Sequence, residues 1–192
     1  KKEEALRFFG LSPEKKTLLV VGGSLGARTI NQSILGGLDR LFASGVQLIW
    51  QTGRYYYAEA SKHLKAYHGM PVWCSDFISR MDYAYEAADL VVSRAGASSI
   101  SELCILKKPV ILVPSPNVAE DHQTKNAMAL VEKGAAVMVR DAEARGKLVS
   151  AALDLIRDNA KLQSLSDHIA EMAHFHSAEQ IVDEIMKIIE RK

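Results

Sequence analysis

Short apolar runs recur along this chain, with longer helix-compatible stretches between them. The runs lie at 17–21 (TLLVV), 46–51 (VQLIWQ), 71–74 (PVWC), 89–93 (DLVVS), 109–113 (PVILV) and 136–139 (AVMV). They do not alternate cleanly between polar and apolar, which is the pattern of strands buried on both faces. The helix-compatible segments fall at about 27–43, 55–67, 79–87, 98–106 and 121–133. This strict alternation predicts an α/β fold, a Rossmann-like parallel sheet of about six strands wrapped by helices. Right-handed crossovers then put every strand-to-helix turn on one edge of the sheet. Ligands of such sheets bind at that carboxyl edge. From about 143 to 192 the pattern is helical, with breaks near Asp158 and Asn159 and over His174–Ser177. Ile181, Ile185, Ile188 and Ile189 form an apolar stripe in the last stretch. Lys1–Phe9 reads as a helical fragment, and Ser12-Pro13-Glu14 as the entry to a single helical turn.

Two of the predicted edge turns are rich in small residues. Gly22-Gly23-Ser24-Leu25-Gly26-Ala27 follows the first strand, and Arg94-Ala95-Gly96-Ala97-Ser98-Ser99-Ile100-Ser101-Glu102 follows the fourth. A strand that stops at glycine and turns into a helix aims that helix's free N–H groups at one spot, and such a spot attracts phosphate. The first turn also reads as an ordinary tight connection. It is not a dinucleotide fingerprint, because from Gly22 the third and sixth positions are Ser24 and Ala27, nor is it a P-loop, because no G-K-[ST] follows. In the second turn Glu102 has two readings. Ser99-x-x-Glu102 matches a capping box, and a carboxylate in the same place could accept both hydroxyls of a ribose. Arg94 is either a surface charge or a partner for a diphosphate beside a helix start. A third edge segment, Pro114–Ala127, is dense in hydrogen-bonding side chains and includes Asp121, His122 and Gln123.

Composition narrows the field. At 192 residues and 48% hydrophobic content, the chain can build one domain with a sizeable core. A net charge of +1 recruits neither nucleic acid nor an acidic membrane. No apolar run approaches the ~20 residues that span a bilayer. Cys74 and Cys104 read as reduced core thiols of a cytoplasmic protein. With no Asp-x-Asp and with His174-x-His176 off one helix face, neither a metal nor another cofactor is expected. The start, without Met, suggests a piece of a longer protein. The expected division is 1–16 as a linker remnant, 17–175 as a nucleotide-sugar-binding domain, and 176–192 as a terminal helix.

Taken together, GGSLGA at 22–27, Asp76-Phe77-Ile78, RAGASSISE at 94–102 and DHQTKNA at 121–127 resemble the carboxyl-terminal domain of the MurG family of bacterial glycosyltransferases. The resemblance covers the whole chain and implies one half of a GT-B architecture, two Rossmann-like domains facing a cleft. It implies UDP-N-acetylglucosamine as donor and a lipid-linked muramyl-pentapeptide as acceptor, with inverting transfer to the muramyl C4 hydroxyl in peptidoglycan synthesis. Gly23, Ser24 and Gly26 would meet the diphosphate. Phe77 and the Ile78 backbone would border the uracil, Glu102 would bind the ribose, and Ala97, Ser98 and Ser99 would offer N–H groups. Arg94 would help to stabilise the departing UDP. Gln123 and its neighbour would read the sugar; here the pair is His122-Gln123, where a familiar family pattern has two glutamines. The acceptor site, the catalytic base and the membrane contact would belong to the amino-terminal domain, to which the terminal helix would cross. The full-length protein would be peripheral on the cytoplasmic face of the membrane. A UDP-N-acetylglucosamine 2-epimerase, another UDP-sugar lipid glycosyltransferase, and a non-catalytic nucleotide-sugar-binding module remain alternatives.

Overall fold

The computed structural model describes residues 1–117 and 121–173. Its centre is a six-stranded parallel sheet in the order β3-β2-β1-β4-β5-β6. The strands are β1 (Thr17–Val21), β2 (Gln47–Gln51), β3 (Val72–Ser75), β4 (Leu90–Ser93), β5 (Val110–Leu112) and β6 (Val137–Met138). The helices are α1 (Lys2–Phe8), α2 (Arg28–Ala43), α3 (Tyr57–Leu64), α4 (Met81–Ala87), α5 (Ala97–Ile105), α6 (His122–Glu132) and α7 (Ala144–Arg157). After a break at Asp158, a further helix, α8, is described over 159–173. All six predicted strands and every predicted helix between them are present.

The pleat sorts the apolar residues into two layers. Leu18, Val20, Leu48, Trp50, Leu90 and Val92 face one side, against Ile30, Ile34, Leu38 and Leu41 of α2 and Leu148, Ala152 and Ile156 of α7. Leu19, Ile49, Val91, Val110 and Leu112 face the other, against α1, α4, α5 and α6. In register, Leu19 lies beside Ile49 on one side and Val91 on the other. These central strands are buried on both faces, so they read as apolar runs without alternation. At Gly37 the helices α2 and α7 come together so closely that a Cβ would lie 3.0 Å from Val149 Cβ.

The first sixteen residues, expected to be a linker remnant, carry part of this core. Ala5, Leu6, Phe9 and Leu11 are buried, α1 packs on α4, and Phe9 stacks edge-on against Trp73 at 5.0 Å. Lys2 pairs with Asp89 at 2.6 Å. At Ser12-Pro13-Glu14 a single turn forms, over Pro13 and Glu14, with no helix after it. The Glu14 N–H donates to Ser12 Oγ at 3.2 Å, as at a helix entry, but the turn does not continue. Cys74 and Cys104 are free thiols, half-buried and buried respectively. The predicted break at His174–Ser177, the isoleucine stripe and the terminal helix at 176–192 lie outside the described residues.

Candidate functional site

The sheet order reverses between β1 and β4, and the two glycine-bearing turns leave the sheet side by side at that switch point. The first turn is clamped to the loop after β2. Gly22 N–H donates to Gln51 O at 3.0 Å, and Arg54 N–H donates to Ser24 O at 3.1 Å. Gly26 has φ +96°, and a Cβ there would sit 2.5 Å from Thr52 O. Gly53, at φ +76°, is pressed against the Gly26 backbone. Buried Asn31 completes the clamp, donating to Thr52 O at 2.8 Å and accepting from Trp50 Nε1 at 3.0 Å. Gly26 therefore serves close loop packing. Gly23 and Ser24 stand exposed beyond it. No side chain caps α2, so the N–H groups of its first turn remain available at the edge.

The second turn removes one of the two readings of Glu102, the capping box. Helix α5 starts at Ala97 with Gly96 as its cap, and no side chain bonds to the cap. Ser99 lies inside the first turn, so the capping box does not form. The extended Gly96 lets the helix begin three residues earlier than that box requires. Glu102 is exposed, and its Oε2 accepts from Tyr85 Oη at 3.1 Å. Tyr85 is buried, and burial followed by the Glu102 charge raises its phenol pKa. Ala97 and Ser98 are exposed and Ser99 half-buried at the open start of α5.

Arg94, at the end of β4, is tied by one nitrogen. Its Nη1 meets Asp141 Oδ1 at 2.5 Å, Val113 O at 3.2 Å and Pro114 O at 3.3 Å. Asp141 Oδ2 accepts from Thr29 Oγ1 of α2 at 3.1 Å. Gln123 also clamps loops. Its Oε1 accepts from Ala95 N at 3.2 Å and Ser115 N at 2.8 Å, while Asn126 Nδ2 donates to Ala95 O at 3.1 Å. The carbonyl of Gln123 is thus committed to backbone, and its amide N–H groups remain the part able to meet a ligand. His122 opens α6, exposed, after Asp121 at φ +55°.

A cavity of about 400 Å³ opens among these elements, lined by Gly22, Gly26, Thr29, Tyr56, Arg94, Gln123 and Asp141 with their neighbours. Three of the predicted site residues, Gly26, Arg94 and Gln123, line it. The others lie elsewhere along the sheet edge or on its helices. Phe77 is 59% exposed and Ile78 1%, so Ile78 can reach a ligand only through its backbone. Asp141 and Thr29 carried no sequence signal of their own, although Asp141 follows the last strand and so falls on the predicted edge. Among the described residues, no three His, Cys, Asp or Glu side chains come together to hold a metal ion. No described helix is long and apolar enough to cross a membrane.

This topology, with both small-residue turns opening at the switch point, defines a Rossmann-like domain of the kind found in GT-B glycosyltransferases. Residues 17–182 match the glycosyltransferase family 28 C-terminal domain, and the chain belongs to that family. It is 73% identical over 192 residues to the UDP-N-acetylglucosamine--N-acetylmuramyl-(pentapeptide) pyrophosphoryl-undecaprenol N-acetylglucosamine transferase of Parabacteroides distasonis, matching 100% of this chain and 52% of that protein. The chain therefore spans about half the length of the curated relatives it matches. Among solved structures, Acinetobacter baumannii MurG superposes with a TM-score of 0.71 at 24% identity, over 97% of this chain and 53% of that one. Sucrose-phosphate synthase from Thermosynechococcus elongatus gives a TM-score of 0.71 at 15% identity, over 99% and 49%. These two structural likenesses bear on the fold.

Proposed function

We propose that this chain is the UDP-N-acetylglucosamine-binding half of an inverting glycosyltransferase that acts on a lipid-linked muramyl-pentapeptide. The observation that carries this reading is the convergence of three polar turns on one cavity at the switch point. The uncapped start of α2 and the Arg94 side chain line that cavity, and the uncapped start of α5 lies farther along the same edge. The names of the close relatives support the donor and acceptor, and the shared GT-B fold supports the division of labour between two domains.

In this reading Gly23 and Ser24, with Ala97, Ser98 and Ser99, offer N–H groups and hydroxyls to the diphosphate and sugar. Glu102, steadied by Tyr85, takes the ribose hydroxyls. Phe77 lies against the uracil, and the Ile78 backbone pairs with its edge. The amide of Gln123, with His122 beside it, reads the N-acetylglucosamine. Helix N-termini and Arg94 stabilise the charge that develops on the departing UDP, without a metal. The acceptor site and the general base belong to the other half of the full-length enzyme, as does its contact with the membrane. That enzyme works at the cytoplasmic face. Calorimetry with UDP-N-acetylglucosamine, UDP-glucose and NADH tests the reading. Binding of the first in preference to the second, with none of the third, is expected. Equal binding of both UDP-sugars would move the assignment to another UDP-sugar enzyme, and NADH binding alone would end it.

A further inference from the structure

We infer that Asp141 is a positioning residue for Arg94, an inference that rests on the donor-binding reading above. Three elements meet at its carboxylate. Asp141 opens the short turn after β6, Arg94 directly follows β4, and Thr29 lies in the first turn of α2. Oδ1 takes the Arg94 Nη1 at 2.5 Å and Oδ2 takes the Thr29 hydroxyl at 3.1 Å, so each carboxylate oxygen has a partner. The ion pair is largely withdrawn from solvent, with side-chain exposures of 20% for Arg94 and 17% for Asp141. A charge-assisted bond in such a place is stronger than a neutral one and resists exchange with water.

The arrangement is one-sided. Every hydrogen bond that the Arg94 side chain makes to the described residues uses Nη1. Its Nε–H and both Nη2–H donors have no partner among the described residues. Nε and Nη2 together form one of the two-pronged faces of a guanidinium, the geometry that matches two oxygens of a phosphate. Asp141 thus grips the guanidinium by Nη1 and leaves the Nε and Nη2 fork uncommitted on a residue that lines the cavity. Without that carboxylate, two carbonyls at 3.2 and 3.3 Å would be its only described anchors, and a long side chain would regain rotamer freedom. The opposite role, in which Asp141 competes with the ligand for Arg94, requires the ligand to need Nη1. The open Nε and Nη2 fork removes that need.

The test is calorimetry on the whole 192-residue chain, with UDP and uridine as paired probes and unfolding followed in parallel. UDP carries the diphosphate that the fork would hold, and uridine does not. Asp141→Ala should weaken UDP binding by about tenfold, with uridine affinity unchanged. Asp141→Asn should stay within about threefold of the unsubstituted chain, because its amide can still accept from Nη1 and donate to Thr29. Asp141→Glu keeps the charge but moves the carboxylate by one methylene, and should weaken UDP by about threefold or more. If Asp141→Ala does not fold, Asp141→Glu decides in its place. Unchanged or tighter UDP binding in the deciding variant, or a parallel loss of uridine, overturns the positioning role. Absence of UDP binding by the unsubstituted chain overturns the donor-binding reading as well, whereas normal binding there with a silent Asp141→Ala overturns this inference alone.

Discussion

Glu102 shows how the structure separates two roles that one carboxylate could fill. A capping glutamate would bond back to the cap N–H, and its loss would be felt in stability. Here the cap is Gly96 with no side-chain bond, and Glu102 reaches outward to Tyr85. On the proposed reading, Glu102→Gln weakens UDP binding by about 1–3 kcal/mol through the ribose contact. It leaves the melting temperature within a degree or two, because an exposed side chain without a capping role contributes little to folding. A lowered melting temperature with unchanged UDP affinity would restore the capping role. The two thiols make a second case at this scale. Burial pushes Cys74 up to about 12 and Cys104 up to about 11, from an ordinary value of 9.0. A raised pKa means that the folded chain keeps both protons through neutral and mildly alkaline pH, so the reactive thiolate is scarce. Iodoacetamide at pH 8 should therefore label neither cysteine in the native chain, and label both in urea. Prompt native labelling of Cys74 would contradict this burial.

At the scale of elements, the sheet was legible because its signal is crude and repeated. Six apolar runs separated by helix-length stretches admit few topologies once crossovers are right-handed. What stayed hidden was each contact made by one residue across a long separation. Asn31 looks like an ordinary polar position in α2, yet it holds the loop after β2 and the Trp50 indole at once. Gly26 and Gly53 lie far apart in the chain, and only the fold brings their backbones together. The same limit hid Asp141, whose two partners lie 47 and 112 positions away in the chain. The helix α1 was legible over Lys1–Phe9, but not its place in the core, since Ala5, Leu6 and Phe9 acquire that role only when α4 lies against them. The clamp on the first turn makes its own prediction. Asn31→Ala removes a donor from Thr52 O and an acceptor from the Trp50 N–H, both within the core. It should cost roughly 2–4 kcal/mol of stability, since each buried group left unpaired is penalised. Denaturant unfolding measures this directly. A cost below about 0.5 kcal/mol would mean that the glycine turn is held by its packing alone.

For the whole molecule, the decisive fact is proportion: the chain matches 52% of the length of its Parabacteroides distasonis relative. On the proposed reading this half holds the donor, and its cavity is bounded on one side by loops of the sheet edge alone. Glycosyl transfer further needs an acceptor hydroxyl aligned with the anomeric carbon and a group to take its proton. The described residues around the cavity offer an arginine already paired with Asp141, a glutamine committed to backbone, and tyrosine and threonine hydroxyls. Among the described residues that line the cavity there is no histidine, and the one carboxylate, Asp141, is engaged by Arg94 and Thr29. Closure of a second domain over the cavity would also exclude water from the activated sugar. The purified chain should therefore bind UDP-N-acetylglucosamine and show negligible transfer to a lipid-linked muramyl acceptor. A covalent fusion to the amino-terminal half of the Parabacteroides distasonis relative should restore turnover, and Glu102→Ala within that fusion should reduce it through the donor. Radiolabelled transfer to the acceptor reads all three. Turnover by the isolated chain, free of full-length enzyme and abolished by Glu102→Ala, would place the catalytic machinery in this half after all.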